Sequence, residues 1–174
     1  MARLFFALWP EPAVRDALAA AAAALACDGG QRVPDANLHL TLAFLGEVDA
    51  ATCAALCAET RIGGVVPFVL DIDGAGWWRA SGTVWLAPRA VPADLGRLEA
   101  ALRERLQGQG VVLETRPFAP HVTVARKLRT APAPYSGDAV RWPVYDYVLA
   151  RSQTDPGGAR YTVLQRWRLA PHAA

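Results

Sequence analysis

The chain has 174 residues and is 53% hydrophobic, which excludes general disorder and leaves enough material for one domain with a sizeable core. It contains no run of about 18 uninterrupted apolar residues, so no membrane span is expected. Its three cysteines, Cys27, Cys53 and Cys57, make no disulfide framework. The net charge of +2 is unevenly placed: residues 1–114 carry nine basic and thirteen acidic side chains, a net −4, while residues 115–174 carry nine and three, a net +6. All the basic residues but Lys127 are arginine. An arginine-rich C-terminal third suits oxyanion contacts, because the guanidinium fork binds them bidentately. The plainer reading is a solvated face.

In chain order, Arg3 to Trp9 reads as a strand. The apolar start is too short and too soon interrupted by Pro10, Glu11 and Pro12 for a secretion signal, so a cytoplasmic location is expected. The prolines open a helix with Val14, Leu18, Ala21 or Ala22, and Leu25 at helical spacing. Cys27 to Arg32 is a glycine-containing turn, and Leu38 to Leu45 a strand closed by Gly46. Asp49 caps a second helix running to about Thr60, with Cys53, Leu56 and Cys57 inward. Cys53 and Cys57 are i, i+4, but no further ligand clusters with them, so packing is favoured over a metal. Val66 to Ile72 and Thr83 to Ala87 read as strands around a loop holding Trp77 and Trp78. Pro92 opens a third helix with Leu95, Leu98, Leu102 and Leu106 on one stripe, ended by Gly108 and Gly110. Phe118 to Arg126 is a strand, residues 127–143 an exposed loop, and Tyr145 to Arg151 and Tyr161 to Leu169 the last two strands.

Two copies of one pattern stand out: His39-Leu40-Thr41-Leu42 and His121-Val122-Thr123-Val124. A strand has a side-chain period of two, so each His shares a face with its Thr and the branched apolar pair takes the other face. Strict alternation then puts Leu38, Leu40, Leu42 and Phe44 in the core, with Phe118, Pro120, Val122 and Val124 in the second copy. It leaves the small residues Ala43 and Ala125 beside the polar pairs. One such His is more often a tolerated polar residue on a half-exposed strand. The repeat changes the weighing, since the chain has three histidines and the third, His172, lies in the tail. Two imidazoles supply a proton donor and a proton acceptor near neutrality, and two hydroxyls donate to anion oxygens. Facing each other across a cleft, they make a metal-free phosphoester site.

A weak internal duplication supports that geometry. Strand, proline, helix, turn and motif strand follow in the same order from Leu4 to Leu45 and from Val84 to Arg126. Pro10 precedes His39 by 29 residues, and Pro88 precedes His121 by 33. A pseudo-twofold axis between such units places the motif strands symmetrically about a central groove.

The chain resembles the bacterial and archaeal RNA 2′,3′-cyclic phosphodiesterases, also called 2′-5′ RNA ligases, of the two-histidine phosphoesterase superfamily. The resemblance runs nearly end to end. It is carried by Arg3-Leu4-Phe5-Phe6-Ala7, Asn37 to Gly46, Trp85, Pro120 to Arg126, Leu149-Ala150-Arg151-Ser152 and Tyr161-Thr162-Val163-Leu164. It implies one α+β domain over residues 1–174, with two pseudo-symmetric lobes around a central cleft, each an antiparallel sheet with outer helices. It also implies hydrolysis of RNA 2′,3′-cyclic phosphate ends to 2′-phosphomonoesters. Microscopic reversibility allows the same groups to run 2′-5′ ligation, and a monomer needing no cofactor is expected. On that likeness His39 is the general acid, His121 the general base, and Thr41 and Thr123 hold the non-bridging oxygens. Arg126 matches the arginine that commonly follows the second motif; simple alternation turns it toward the core, so it needs a bulge to reach phosphate. Phe5, Trp9, Trp77 and Trp78 are candidate base platforms, with core packing favoured for Phe5 and Trp85. The alternatives are a related phosphodiesterase acting on a small cyclic phosphate or a 2′-5′ oligonucleotide, and a non-catalytic nucleotide- or RNA-binding module.

Overall fold

In the computed structural model, residues 1–25, 27, 29–155 and 158–170 are described; His172 lies outside them. The chain is α+β. β1 (Ala2–Leu8) leads to α1 (Pro12–Ala24), the two-residue β2 (Gln31–Arg32), a single 3-10 turn (Asp35–Asn37) and β3 (Leu40–Val48). Then follow α2 (Ala50–Glu59), β4 (Phe68–Ile72), β5 (Gly74–Trp78), β6 (Thr83–Ala87) and α3 (Ala93–Gly108). The chain continues with β7 (Val122–Arg126), β8 (Val140–Val144), β9 (Asp146–Asp155) and β10 (Gly158–Arg168).

The helices form where the pattern places them. Pro12 sits in the first turn of α1, where its missing N–H costs nothing, and Leu18 and Ala22 are buried. The Asp49 carboxylate accepts from the Thr52 N–H at 2.7 Å, a cap worth about 1 kcal/mol. In α3, Leu95, Leu98, Leu102 and Leu106 are all fully buried. Arg103 pairs with Glu99 one turn back at 2.9 Å.

Every described strand pairing is antiparallel. One sheet runs β10-β9-β1-β3-β7-β6-β5, with β2 also on β7; β4 and β8 make a second, two-stranded sheet. The expected repeat is present as β1-α1-β3 and β6-α3-β7. The halves are not separate sheets, however. They meet edge to edge through one residue pair, Leu40 with Val122. Pairing stops there because the segment after α1 takes over the edge of β7. Gln31 pairs with Arg126, Arg32 with Ala125, and the Val33 N–H donates to the Val124 carbonyl at 2.9 Å.

Other expectations are corrected. Trp77 and Trp78 lie on a strand, β5, because Gly74–Trp78 pairs along β6. Gly76 is required there: a Cβ would stand 2.2 Å from the Trp85 ring. β4 pairs with β8, which falls largely inside the segment read as an exposed loop. Val140, Trp142 and Val144 are in fact buried. The second motif strand starts at Val122, since residues 117–121 are irregular.

The main core lies on one face of the large sheet, between it, the helices and the β4–β8 pair. A smaller apolar cluster of Phe5, Ala7, Val148 and Ala150, flanked by Trp9, Tyr161 and Val163, lies on the opposite face of β1, β9 and β10. No described helix is long and apolar enough to cross a membrane.

Candidate active site

The single β3–β7 pair organises the site. Continuing its antiparallel register by one residue each way sets His39 across from Thr123, and Thr41 across from His121. The four side chains thus form a crossed square on the sheet face away from the main core. Leu40 and Val122, at its centre, are fully buried beneath.

The residues beyond each motif depart from strict alternation in the same way. Phe6 pairs with Ala43 and Ala7 with Thr41, which leaves Leu42 as an extra residue on β3. Val84 pairs with Ala125 and Trp85 with Thr123, which leaves Val124 as an extra residue on β7. These are β-bulges at equivalent positions, and each reverses the parity that follows. Leu42 and Ala43 therefore both pack against the main core, as do Val124 and Ala125. Ala125 is not beside the polar pair as expected. The next residue in each copy turns into the cleft: Arg126 from β7, and Phe44 from β3. Phe44, expected in the core, is exposed there, with the Arg3 guanidinium 5.0 Å from its ring centroid.

The two rings are oriented alike. His39 Nδ1–H donates to the Asn37 carbonyl at 2.6 Å, and His121 Nδ1–H donates to the Ala119 carbonyl at 2.8 Å. A carbonyl only accepts, so Nδ1 keeps its proton and Nε2 is left to exchange one. Asn37 is itself anchored: its side-chain amide donates to the Ala159 carbonyl at 2.7 Å.

The surroundings differ. His39 lies among Phe5 (4.9 Å between centroids), Trp9 (5.4 Å, stacked at 10°) and Tyr161 (5.2 Å, edge-on). Burial among these rings lowers its pKa to about 4, helped by the positive charges of Arg126 and His121 and opposed by the Asn37 hydrogen bond. His121 meets one aromatic, Trp78, at 4.6 Å edge-on. Its pKa is lowered too, first by burial and then by Arg126, against the Ala119 hydrogen bond.

All five expected residues line one cavity of about 570 Å³: His39, Thr41, His121, Thr123 and Arg126. Arg3 and Arg116 also line it, and among the described residues no carboxylate does. Such a lining attracts anions. The basic C-terminal third supplies Arg116 and Arg126, whereas Arg3 comes from the acidic part of the chain, so the charge split foretold the cleft only in part. Ser152, Thr154 and Tyr161 complete the β9–β10 wall. These, with Arg3 and Phe44, were missed by sequence reasoning. Arg3 shares the cleft-facing side of β1 with Phe5 by simple alternation, whereas the face of Phe44 is revealed only by the bulge at Leu42. The cavity continues at one end into a space lined by Phe44, Trp78, Arg116 and Phe118. At the other it continues along Arg32, Asn37, Arg126 and Tyr161. Among the described residues, no three His, Cys, Asp or Glu side chains are grouped to hold a metal ion.

Two imidazoles with exchangeable Nε2 atoms, two hydroxyls and an arginine around one anion-attracting cavity are groups able to move protons and to hold a phosphate. The chain belongs to the 2′-5′ RNA ligase superfamily, whose sequence profile matches residues 10–160. It is 38% identical over 146 residues to the RNA 2′,3′-cyclic phosphodiesterase of Escherichia coli, covering 82% of this chain and 81% of that one. It is 36% identical to the protein of the same name from Thermus thermophilus, over 96% and 90% of the two chains. Its fold matches the crystal structure of Escherichia coli LigT complexed with 3′-AMP with a TM-score of 0.84, at 36% identity over 97% of this chain and 98% of that one.

Proposed function

We propose that this chain opens the 2′,3′-cyclic phosphate at an RNA 3′ end to a 2′-phosphomonoester. The observation that carries this is the crossed square of His39, Thr123, Thr41 and His121 in a cavity lined by three arginines and, among the described residues, by no carboxylate. Water attacks phosphorus while one imidazole Nε2 takes its proton. The P–O3′ bond breaks, and the other imidazole protonates the departing oxygen. Strain in the five-membered ring lowers the barrier. Thr41, Thr123 and Arg126 hold the non-bridging oxygens and meet the charge that builds on them. The same groups run in reverse join a 2′-phosphate to an RNA end. The relatives named above as RNA 2′,3′-cyclic phosphodiesterases support this substrate class. So does the nucleotide bound by the Escherichia coli structure. Continuity of the central cavity with a space at each end favours an RNA end over a small cyclic phosphate. We take the protein to act as a cytoplasmic monomer; light scattering on the purified protein tests the monomer.

In this reading His39 is the acid and His121 the base. The lowering of His39 to about 4 favours a second assignment with the roles exchanged, because a ring that resists protonation this strongly is a less ready proton donor. A bound phosphate opposes the charge of Arg126 and raises the proton affinity of the ring that serves as acid. A phosphodiester with a p-nitrophenolate leaving group needs no acid. It rescues the variant lacking the acid and not the one lacking the base.

The deciding experiment is turnover of a defined oligonucleotide ending in a 2′,3′-cyclic phosphate, with products resolved by position. A 2′-phosphate is expected. No turnover, or a 3′-phosphate product, overturns the proposal.

A further inference from the structure

The end of the cleft beyond His121 is built differently from the centre. Phe44 and Trp78 are 41% and 40% exposed, unlike the buried aromatics Phe5, Phe6, Trp142, Tyr147 and Trp167. Both line the central cavity, and both also line the adjoining space of about 300 Å³, at the lower end of the usual range for small-molecule pockets. Leu113, Pro117 and Phe118 are among its other apolar lining residues, and Arg103, Glu114 and Arg116 among its polar ones.

Both rings are held in place. Trp78 touches the Trp85 ring at 5.6 Å and the His121 ring at 4.6 Å. Phe44 has the Arg3 guanidinium 5.0 Å from its centroid. Phe44 reaches the cleft only because of the bulge at Leu42, the counterpart of the bulge that delivers Arg126. Without it, Phe44 continues the buried parity of Leu40 and Leu42. Two rings left open to water beside the reacting centre gain most from a flat aromatic partner, and in an RNA substrate the nucleobase is that partner.

We infer that Phe44 and Trp78 form the platform for the nucleobase of the terminal nucleotide, so that the base lies at the His121 end of the cleft. The inference rests on the phosphoesterase reading for the placement of the phosphate. It makes these residues determinants of substrate preference: the base is recognised by its face, with little distinction by its edge, because no backbone or side-chain amide is needed for stacking.

The test measures affinity, so it does not depend on turnover. Calorimetry compares adenosine 2′-monophosphate with ribose 2-phosphate, which lacks the base. The wild-type protein binds the nucleotide more tightly by roughly 5- to 150-fold, the range for one stacked base. Trp78→Ala and Phe44→Ala each cut that ratio several-fold, and Trp78→Phe keeps most of it. Circular dichroism checks that each variant is folded. Equal wild-type affinities for the two ligands overturn the inference. So does an unchanged ratio in both alanine variants, including when both ligands weaken together. If instead the protein fails to hydrolyse cyclic phosphate ends while the ratio behaves as expected, the base platform stands and the catalytic reading falls.

Discussion

β3 and β7 carry the same motif, the same bulge after it and the same imidazole-to-carbonyl hydrogen bond, yet they deliver different chemistry. On β3 the imidazole is packed among Phe5, Trp9 and Tyr161, and the bulge presents Phe44. On β7 the imidazole meets one ring edge, and the bulge presents Arg126. The repeated backbone sets positions and the unrepeated neighbours set proton affinity and charge. A two-proton reaction draws on both: symmetry to put one ring on each side of the phosphate, and asymmetry to give the rings different proton affinities.

The hardest blow to this pair is removal of either ring. His39→Ala and His121→Ala should each lower kcat by about 10²- to 10⁴-fold, as expected for a positioned acid or base. The double variant should be little worse than the worse single one, because the rings act as a unit. Steady-state kinetics on a cyclic-phosphate oligonucleotide checks this, and near-normal turnover in either single variant breaks the two-histidine mechanism.

Next in size are the groups holding the anion. Arg126→Ala should reduce kcat/KM by about 10²-fold, within the range for a lost transition-state donor. Thr41→Val and Thr123→Val should each cost less, since each removes a neutral donor and keeps the shape. Arg126→Ala has a second signature that a structural role does not share. Removing its charge should raise the pKa of both His39 and His121, visible by NMR titration of the imidazole signals.

A subtler test concerns the asymmetry itself. In the free protein His39 should titrate near 4, below its ordinary 6.5, and Trp9→Ala or Tyr161→Ala should move it upward by opening the ring to water. The sign for stability follows. Between 6.5 and about 4 the unfolded chain binds a proton that the folded chain does not. The His39 contribution is therefore fully present above 6.5 and is lost as pH falls toward 4. Urea unfolding across that window should show the loss in the wild type and less of it in a His39→Gln variant. An identical slope in both would refute the caged-imidazole account.

The smallest effect should come from chelation. Each histidine is partnered by a threonine, which is a poor metal ligand beside carboxylate or thiolate. EDTA should leave the rate unchanged. Loss of activity restored by a divalent ion points to metal-assisted hydrolysis instead.

Much of this was legible from local pattern. The helices followed from leucine spacing and the Asp49 cap, and the motif faces followed from period-two alternation around Leu40 and Val122. What was hidden depends on distant partners. Leu42-Ala43-Phe44 and Val124-Ala125-Arg126 read as continued alternation, and only the register against β1 and β6 shows the bulges. β8 was obscured by Pro143, which is tolerated because β8 pairs on one side only, with β4. β5 was obscured by Gly74 and Gly76, the latter needed to admit the Trp85 ring.

The bulges also separate what holds the fold from what faces the cleft. Residues 42, 43, 124 and 125 pack against the core, so changing their volume opens or overfills it. Positions 44 and 126 project into the cleft, where a replacement leaves no void behind it. Each half of the duplicated scaffold thus offers one socket whose occupant alters the cleft without altering the packing beneath. A phenylalanine in one and an arginine in the other turn a backbone with near-twofold symmetry into a groove with a head and a tail.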